Sequence, residues 1–113
     1  MSIEITARHM HATEEIQEYS RRKGQFLVDE FHAVEHVHVV LDHVRHQGVA
    51  EVIVQATHHL RMEAKETGDN LTGCIDAAFD KVERQLRRAF DKLHDHKTAM
   101  KKAMTRTEDR AKT

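Results

Sequence analysis

The chain has a single cysteine, Cys74, which excludes a disulfide within it and points to the reducing interior of a cell. Nothing in it reaches the roughly 18 apolar residues of a membrane-spanning helix, and the amino-terminal SIEIT reads as strand. A soluble, cytoplasmic protein is expected, with no membrane partner. Also missing are a nucleophile motif, a glycine-rich phosphate loop and an acid pair at a defined spacing, so neither catalysis nor a cofactor is expected. An excess of one charge is lacking too: 18 Lys and Arg against 19 Asp and Glu leave a formal net charge of −1 and a pI near 6.8. That excludes a uniformly basic nucleic-acid binder, and any such binding must come from a patch. At 113 residues the chain is one domain, able to bury about two thirds of its surface around one core.

What is present is organised around residues 70–97, NLTGCIDAAFDKVERQLRRAFDKLHDHK. Leu71, Ile75, Ala78, Phe79, Val82, Leu86, Phe90 and Leu93 recur every three or four positions, which predicts an amphipathic helix about 40 Å long. Asp69 or Asn70 can cap its start behind Gly68, and His94, His96 and Lys97 suit the negative end of its dipole. Cys74 lies beside the apolar stripe, the place of a packed thiol. On the outward side, Lys81, Arg84, Arg88 and Lys92 fall on one stripe, their spacings being three, four and four. Asp76, Asp80, Glu83 and Asp91 gather on the other flank, with Arg87 among them. Mixed charge on a helix usually serves solvation alone. Sorting by sign raises a second reading, in which a basic row one turn apart follows the phosphates of a nucleic acid.

Elsewhere, residues 3–8 alternate Ile3, Ile5 and Ala7 with Glu4, Thr6 and Arg8, the pattern of a half-buried strand. Thr13 can cap a first helix whose apolar side holds Ile16, Tyr19, Phe26, Leu27 and Phe31, with Gly24 weakening its middle. Its outer side carries Arg21, Arg22 and Lys23. Three strands follow: 34–44, then 49–56 after a turn around Gln47 and Gly48, then 60–66. Each alternates apolar and polar residues, and the short connections at 45–48 and 57–59 imply antiparallel hairpins. One sheet face is therefore apolar, and both helices pack on it. The expected class is α+β, a two-layer sandwich ordered β-α-β-β-β-α; a right-handed crossover sets the first strand parallel to its neighbour in a four-stranded mixed sheet. From residue 98 to 113 the apolar period fades, which predicts a flexible polar tail behind a domain of residues 1–97.

Eleven histidines begin to charge near pH 6.5 unless buried, so acidification makes the surface more positive. His9 with His11 and His36 with His38 are spaced to share one face of a strand, and His43/His46, His58/His59 and His94/His96 add further pairs. A histidine-rich metal-binding module is thus one alternative function. A protein-interaction module using the polar sheet face is another.

The element order and the local text resemble the ribosome hibernation-promoting factor family, which includes the ribosome-associated inhibitor proteins. Asp80-Lys81-Val82-Glu83-Arg84-Gln85-Leu86 is similar to that family's (D/N)KLERQL. Ile3-Glu4-Ile5-Thr6, Thr13-Glu14, Val37-His38-Val39-Val40-Leu41 and Ile75-Asp76 support it, and the likeness spans residues 1 to about 97. The resemblance implies a ribosome-binding domain that docks between the head and body of the small subunit, over the messenger and transfer RNA sites. It would stop translation in stressed or stationary cells by occupancy, with ribosomal RNA and not DNA as its nucleic acid, and with a free state that is monomeric. By that resemblance Lys23, Lys81, Arg84, Arg88 and Lys92 meet ribosomal RNA, with Arg22 and Arg8 as further candidates, and no metal is bound. The chain departs from the pattern at Leu71-Thr72, where the family has Met-Tyr, at Phe26, where it is often basic, and at Gly24, where it is often apolar. It resembles the short forms, of which one kind assists ribosome dimers and another prevents them.

Overall fold

The computed structural model of the protein describes the backbone of residues 2–105 and the side chains as far as Asp91. Its elements follow the expected order: β1 (Ser2–Arg8), α1 (Glu14–Glu30), β2 (Val34–Val44), β3 (Gln47–Ala56), β4 (Leu60–Gly68) and α2 (Leu71–Thr105). The sheet runs β1-β2-β3-β4. β1 lies parallel to β2, with Ile5 opposite Val39, and the other pairs are antiparallel. α1 covers β1 and β2, and α2 covers β3 and β4.

Alternation along the strands fixes the inner face. Val37, Val39, Leu41, Val52 and Val54 are fully buried against Leu27 of α1 and against Ile75, Val82 and Leu86 of α2. Burying a side chain of this kind is worth about 1.5–3 kcal/mol, so this face holds both helices in place. The outer sheet face is not wholly polar. Val40 and Val49 lie on it beside Ile53 and are buried there among longer neighbours.

Both caps are local. The Thr13 hydroxyl accepts from the Ile16 N–H at 3.2 Å, and Asn70 rather than Asp69 caps α2, accepting from Gly73 N–H at 3.2 Å. Gly24 is a contact rather than a weak point: a Cβ there would sit 3.1 Å from Cγ2 of Ile3, so its absence lets α1 settle on β1. Gly48 serves α2 similarly, since a Cβ on it would lie 3.3 Å from the Cα of Leu71.

The turn expected at Gln47 and Gly48 falls instead on Arg45 and His46, at φ 53° and 67°; His58 and His59, at 65° and 61°, make the second. Two successive left-handed residues build the tight hairpin turn that Asn-Gly normally fills, which is why the first corner was misplaced, while the second falls within the expected connection at 57–59. α2 also runs past the expected end at Lys97. Thr98–Thr105 hold Ala, Met and Lys with no Gly or Pro, so helix propensity carries the backbone on where the apolar stripe stops. The expected flexible tail thus begins within a helix, and residues 106–113 lie outside the described residues.

Candidate nucleic-acid interface

The two sides of α2 do different work because its neighbours differ. Its acidic flank turns to α1. Asp76 accepts a hydrogen bond from the Tyr19 hydroxyl and pairs with Lys23 Nζ at 3.1 Å. At the end of α1, Arg87 reaches Glu83 at 2.7 Å and Glu30 at 3.6 Å, and its guanidinium lies 5.2 Å from the ring centre of Phe31. The rings of Phe31 and Phe90 stack beyond it, 6.3 Å apart. Arg87, the one basic residue on that flank, is therefore a clasp between helices.

Between the two clasps runs a groove of about 490 Å³. Leu27 and Phe79 form its floor, and Phe26, 48% exposed, stands at its rim. Arg22 and Lys23 supply one wall and Asp76, Asp80 and Glu83 the other. The Tyr19 hydrogen bond, followed by Lys23, holds the Asp76 carboxyl below its usual range, and the same bond raises the Tyr19 hydroxyl.

The basic stripe looks the other way. Lys81 pairs with Glu66 of β4, and the side-chain amide of Gln85 donates to the Glu63 carbonyl on the free edge of that strand at 3.0 Å. Arg84 is exposed and pairs with Asp80 at 2.6 Å. Arg88 is exposed, and among the described residues it has no acidic partner. The side chain of Lys92, one turn on, lies outside the described residues. Lys81, Arg84 and Arg88 thus share one outer surface. Lys23 and Arg22 lie across the acidic row from them, Arg22 paired loosely with Glu18 at 3.7 Å. Arg8 does not join either group: it stands on the outer face of the sheet, beside Asp42 in register.

The histidines split in the same way. His36 and His38 do share a face, and each bonds across the strand pair, His36 with the Ser2 hydroxyl and His38 with the Thr6 hydroxyl at 2.8 Å. His9 and His11 do not behave as a strand pair, because β1 ends at Arg8 and His9 is left-handed at φ 56°. His9 instead bonds Asp42 at 3.0 Å; the backbone N–H of His43, with His9 assisting, lowers the Asp42 carboxyl. Among the described residues no three His, Cys, Asp or Glu gather as metal ligands, and no helix is long and apolar enough to cross a membrane. Cys74 is buried, its thiol pushed up by burial and then by Glu66 and Asp69.

Sequence reasoning found the stripe but missed Tyr19, Asp76, Gln85 and Arg87 as the residues that orient it. Tyr19 and Asp76 lie 57 positions apart, beyond the reach of any spacing argument.

A family model described as Sigma 54 modulation protein / S30EA ribosomal protein matches residues 3–94. The chain belongs to that family. Within the sigma 54 modulation / S30EA family it is 33% identical over 101 residues to the Ribosome hibernation promoting factor of Salmonella typhimurium, covering 85% of this chain and 100% of that protein. The factor of the same name from Escherichia coli K12 is 31% identical over 98 residues, with the same coverage. Among solved structures, the Thermus thermophilus Protein Y N-terminal domain superposes with a TM-score of 0.69 at 28% identity, over 78% of this chain and 98% of that one. A ribosomal subunit interface protein from Coxiella burnetii gives 0.73 at 15% identity, over 80% and 99%, a likeness of fold. The family resemblance and the β-α-β-β-β-α sandwich read from the sequence therefore both stand.

Proposed function

We propose that this chain is a ribosome hibernation factor of the cytoplasm, a monomer when free, which docks on the small ribosomal subunit and blocks its messenger and transfer RNA sites by occupancy alone. The observation that carries the reading is the sorted charge of α2. Lys81, Arg84 and Arg88 face solvent on one side, while the acids Asp76 and Glu83 are turned toward α1. Curated relatives matched along their whole length are named ribosome hibernation promoting factors, which supports the same partner.

Docking of this kind is electrostatic. Each Lys or Arg that meets a phosphate releases counterions, and because RNA duplexes hide their base edges, shape and backbone supply most of the recognition. The sandwich contributes rigidity. Gln85 and Lys81 tie α2 to β4, and the Asp76 and Arg87 clasps tie it to α1, so the basic side chains arrive in fixed positions. Lys23, Arg22 and Lys92 extend the contact beyond the stripe, and Arg8 adds one only if RNA reaches the other sheet face.

The test is co-sedimentation with small subunits and with empty whole ribosomes across a salt series, beside an Arg84→Glu, Arg88→Glu variant. Saturable binding that weakens with salt and falls on the order of a hundredfold in the variant is expected, because two lost charged contacts are joined by repulsion from the introduced carboxylates. Equal affinity of variant and parent would remove the stripe from the reading, and absence of binding at low salt would remove the ribosome. The same gradients show whether bound ribosomes pair.

A further inference from the structure

We propose that the groove between α1 and α2 takes one unstacked nucleobase, a guanine, from a single-stranded stretch of RNA. This rests on the RNA-binding reading for its ligand class and adds base recognition to a contact otherwise limited to backbone and shape.

Three features of the groove carry it. The first is an aromatic at the rim: Phe26 leaves 48% of its surface exposed above a floor of Leu27 and Phe79. Unstacked bases are commonly held by stacking on such rings. The second is charge placed as a nucleotide needs it. Arg22 and Lys23 line the α1 side, where a sugar-phosphate backbone would pass, and carboxylates line the α2 side. The third is that these carboxylates have acceptor capacity left. Asp76 uses Oδ1 for both Tyr19 and Lys23, Asp80 uses Oδ2 for Arg84, and Glu83 uses Oε2 for Arg87, leaving one oxygen of each without a partner among the described residues. A carboxylate only accepts, so it selects a base edge made of donors. Guanine offers two adjacent donors, N1–H and the N2 amino group, to a single carboxylate; uracil offers one donor flanked by acceptors. The volume, about 490 Å³, leaves room for a base with its hydrating waters.

The chain contains its own reporter. It has no tryptophan and one tyrosine, Tyr19, which lines the groove. The experiment titrates the full chain with short single-stranded oligouridylates, with and without one central guanosine, and reads tyrosine emission. The parent and Phe26→Ala are compared, each checked for an unchanged fold by circular dichroism, which the exposure of Phe26 favours. A saturable change is expected with the guanosine-containing strand, weakened about tenfold or more in Phe26→Ala, as loss of a stacked base requires. An equal response to both strands, no response to guanosine, or an unaltered Phe26→Ala would each overturn the proposal. Ribosome co-sedimentation with the same proteins separates the two readings: a tyrosine response without ribosome binding would end the hibernation reading and leave the base site.

Discussion

Arg88 should carry more of the docking energy than Arg84 or Lys81, although all three stand on one stripe. RNA that reaches Arg84 must compete with Asp80, 2.6 Å away, and at Lys81 it must compete with Glu66. Exposed pairs of this sort are worth about 0.2–1 kcal/mol, and that amount is subtracted from what the phosphate contributes. Arg88 gives up no such pair among the described residues. With about 1.5 kcal/mol for an exposed charged hydrogen bond, Arg88→Ala should weaken ribosome binding about tenfold. Arg84→Ala should cost roughly twofold to ninefold once the lost pair is deducted. The converse also follows: Asp80→Asn frees Arg84 while keeping an acceptor, and should tighten binding by about twofold to fivefold. The assay is equilibrium co-sedimentation of each variant with small subunits at several salt concentrations, read as affinity and as its salt slope. Arg88→Ala should lower that slope by about 0.7–0.9, the value of one phosphate contact. If Arg84→Ala costs more than Arg88→Ala, or if Asp80→Asn weakens binding, intramolecular pairing does not rank these residues.

Two further outcomes concern stability. The Asp76 carboxyl is held below its usual range by Tyr19 and Lys23, so it contributes stability above its unfolded pKa, lost as pH falls through the folded one. Thermal melts below about pH 4 should therefore show the parent losing stability more steeply than Asp76→Asn, and parallel curves would refute the clasp. The Ser20 hydroxyl is fully buried in α1 with no partner among the described residues. Ser20→Ala should accordingly raise unfolding free energy by about 1 kcal/mol in urea titration, and a loss of that size would show that the hydroxyl is satisfied.

Period was the legible part of this chain. Alternation at Val37, Val39 and Leu41 and the three-four spacing from Ile75 to Leu86 are set by which face is buried, so they write themselves into sequence. Segregated charge on the last helix was legible for the same reason. The connections at 45–48 and 57–59 were legible too, but the corner of the first was not, because Arg45-His46 adopt a backbone that their side chains do not advertise. Gly48 looked like a turn glycine and is a packing glycine, a distinction made by Leu71, far along the chain. The pairings that decide which cations are free, Lys81 with Glu66 and Lys23 with Asp76, join different elements and exist only once the sandwich has closed.

The parallel pairing of β1 has a consequence for the order of assembly. Ser2 and His36 are 34 positions apart, whereas β2, β3 and β4 form a meander through short turns. Closing the long loop costs more entropy than closing the short ones, so the meander with α2 is expected to form first and β1 with α1 to dock onto it afterward. The last unit to dock is also the first to open, and backbone amides of β1 should exchange with solvent faster than those of β3. Arg84 and Arg88 therefore ride on the persistent part of the molecule. Lys23 and Phe26 ride on the unit expected to open first, so if the proposed docking holds, their contacts would be the first to be shed when the complex comes apart.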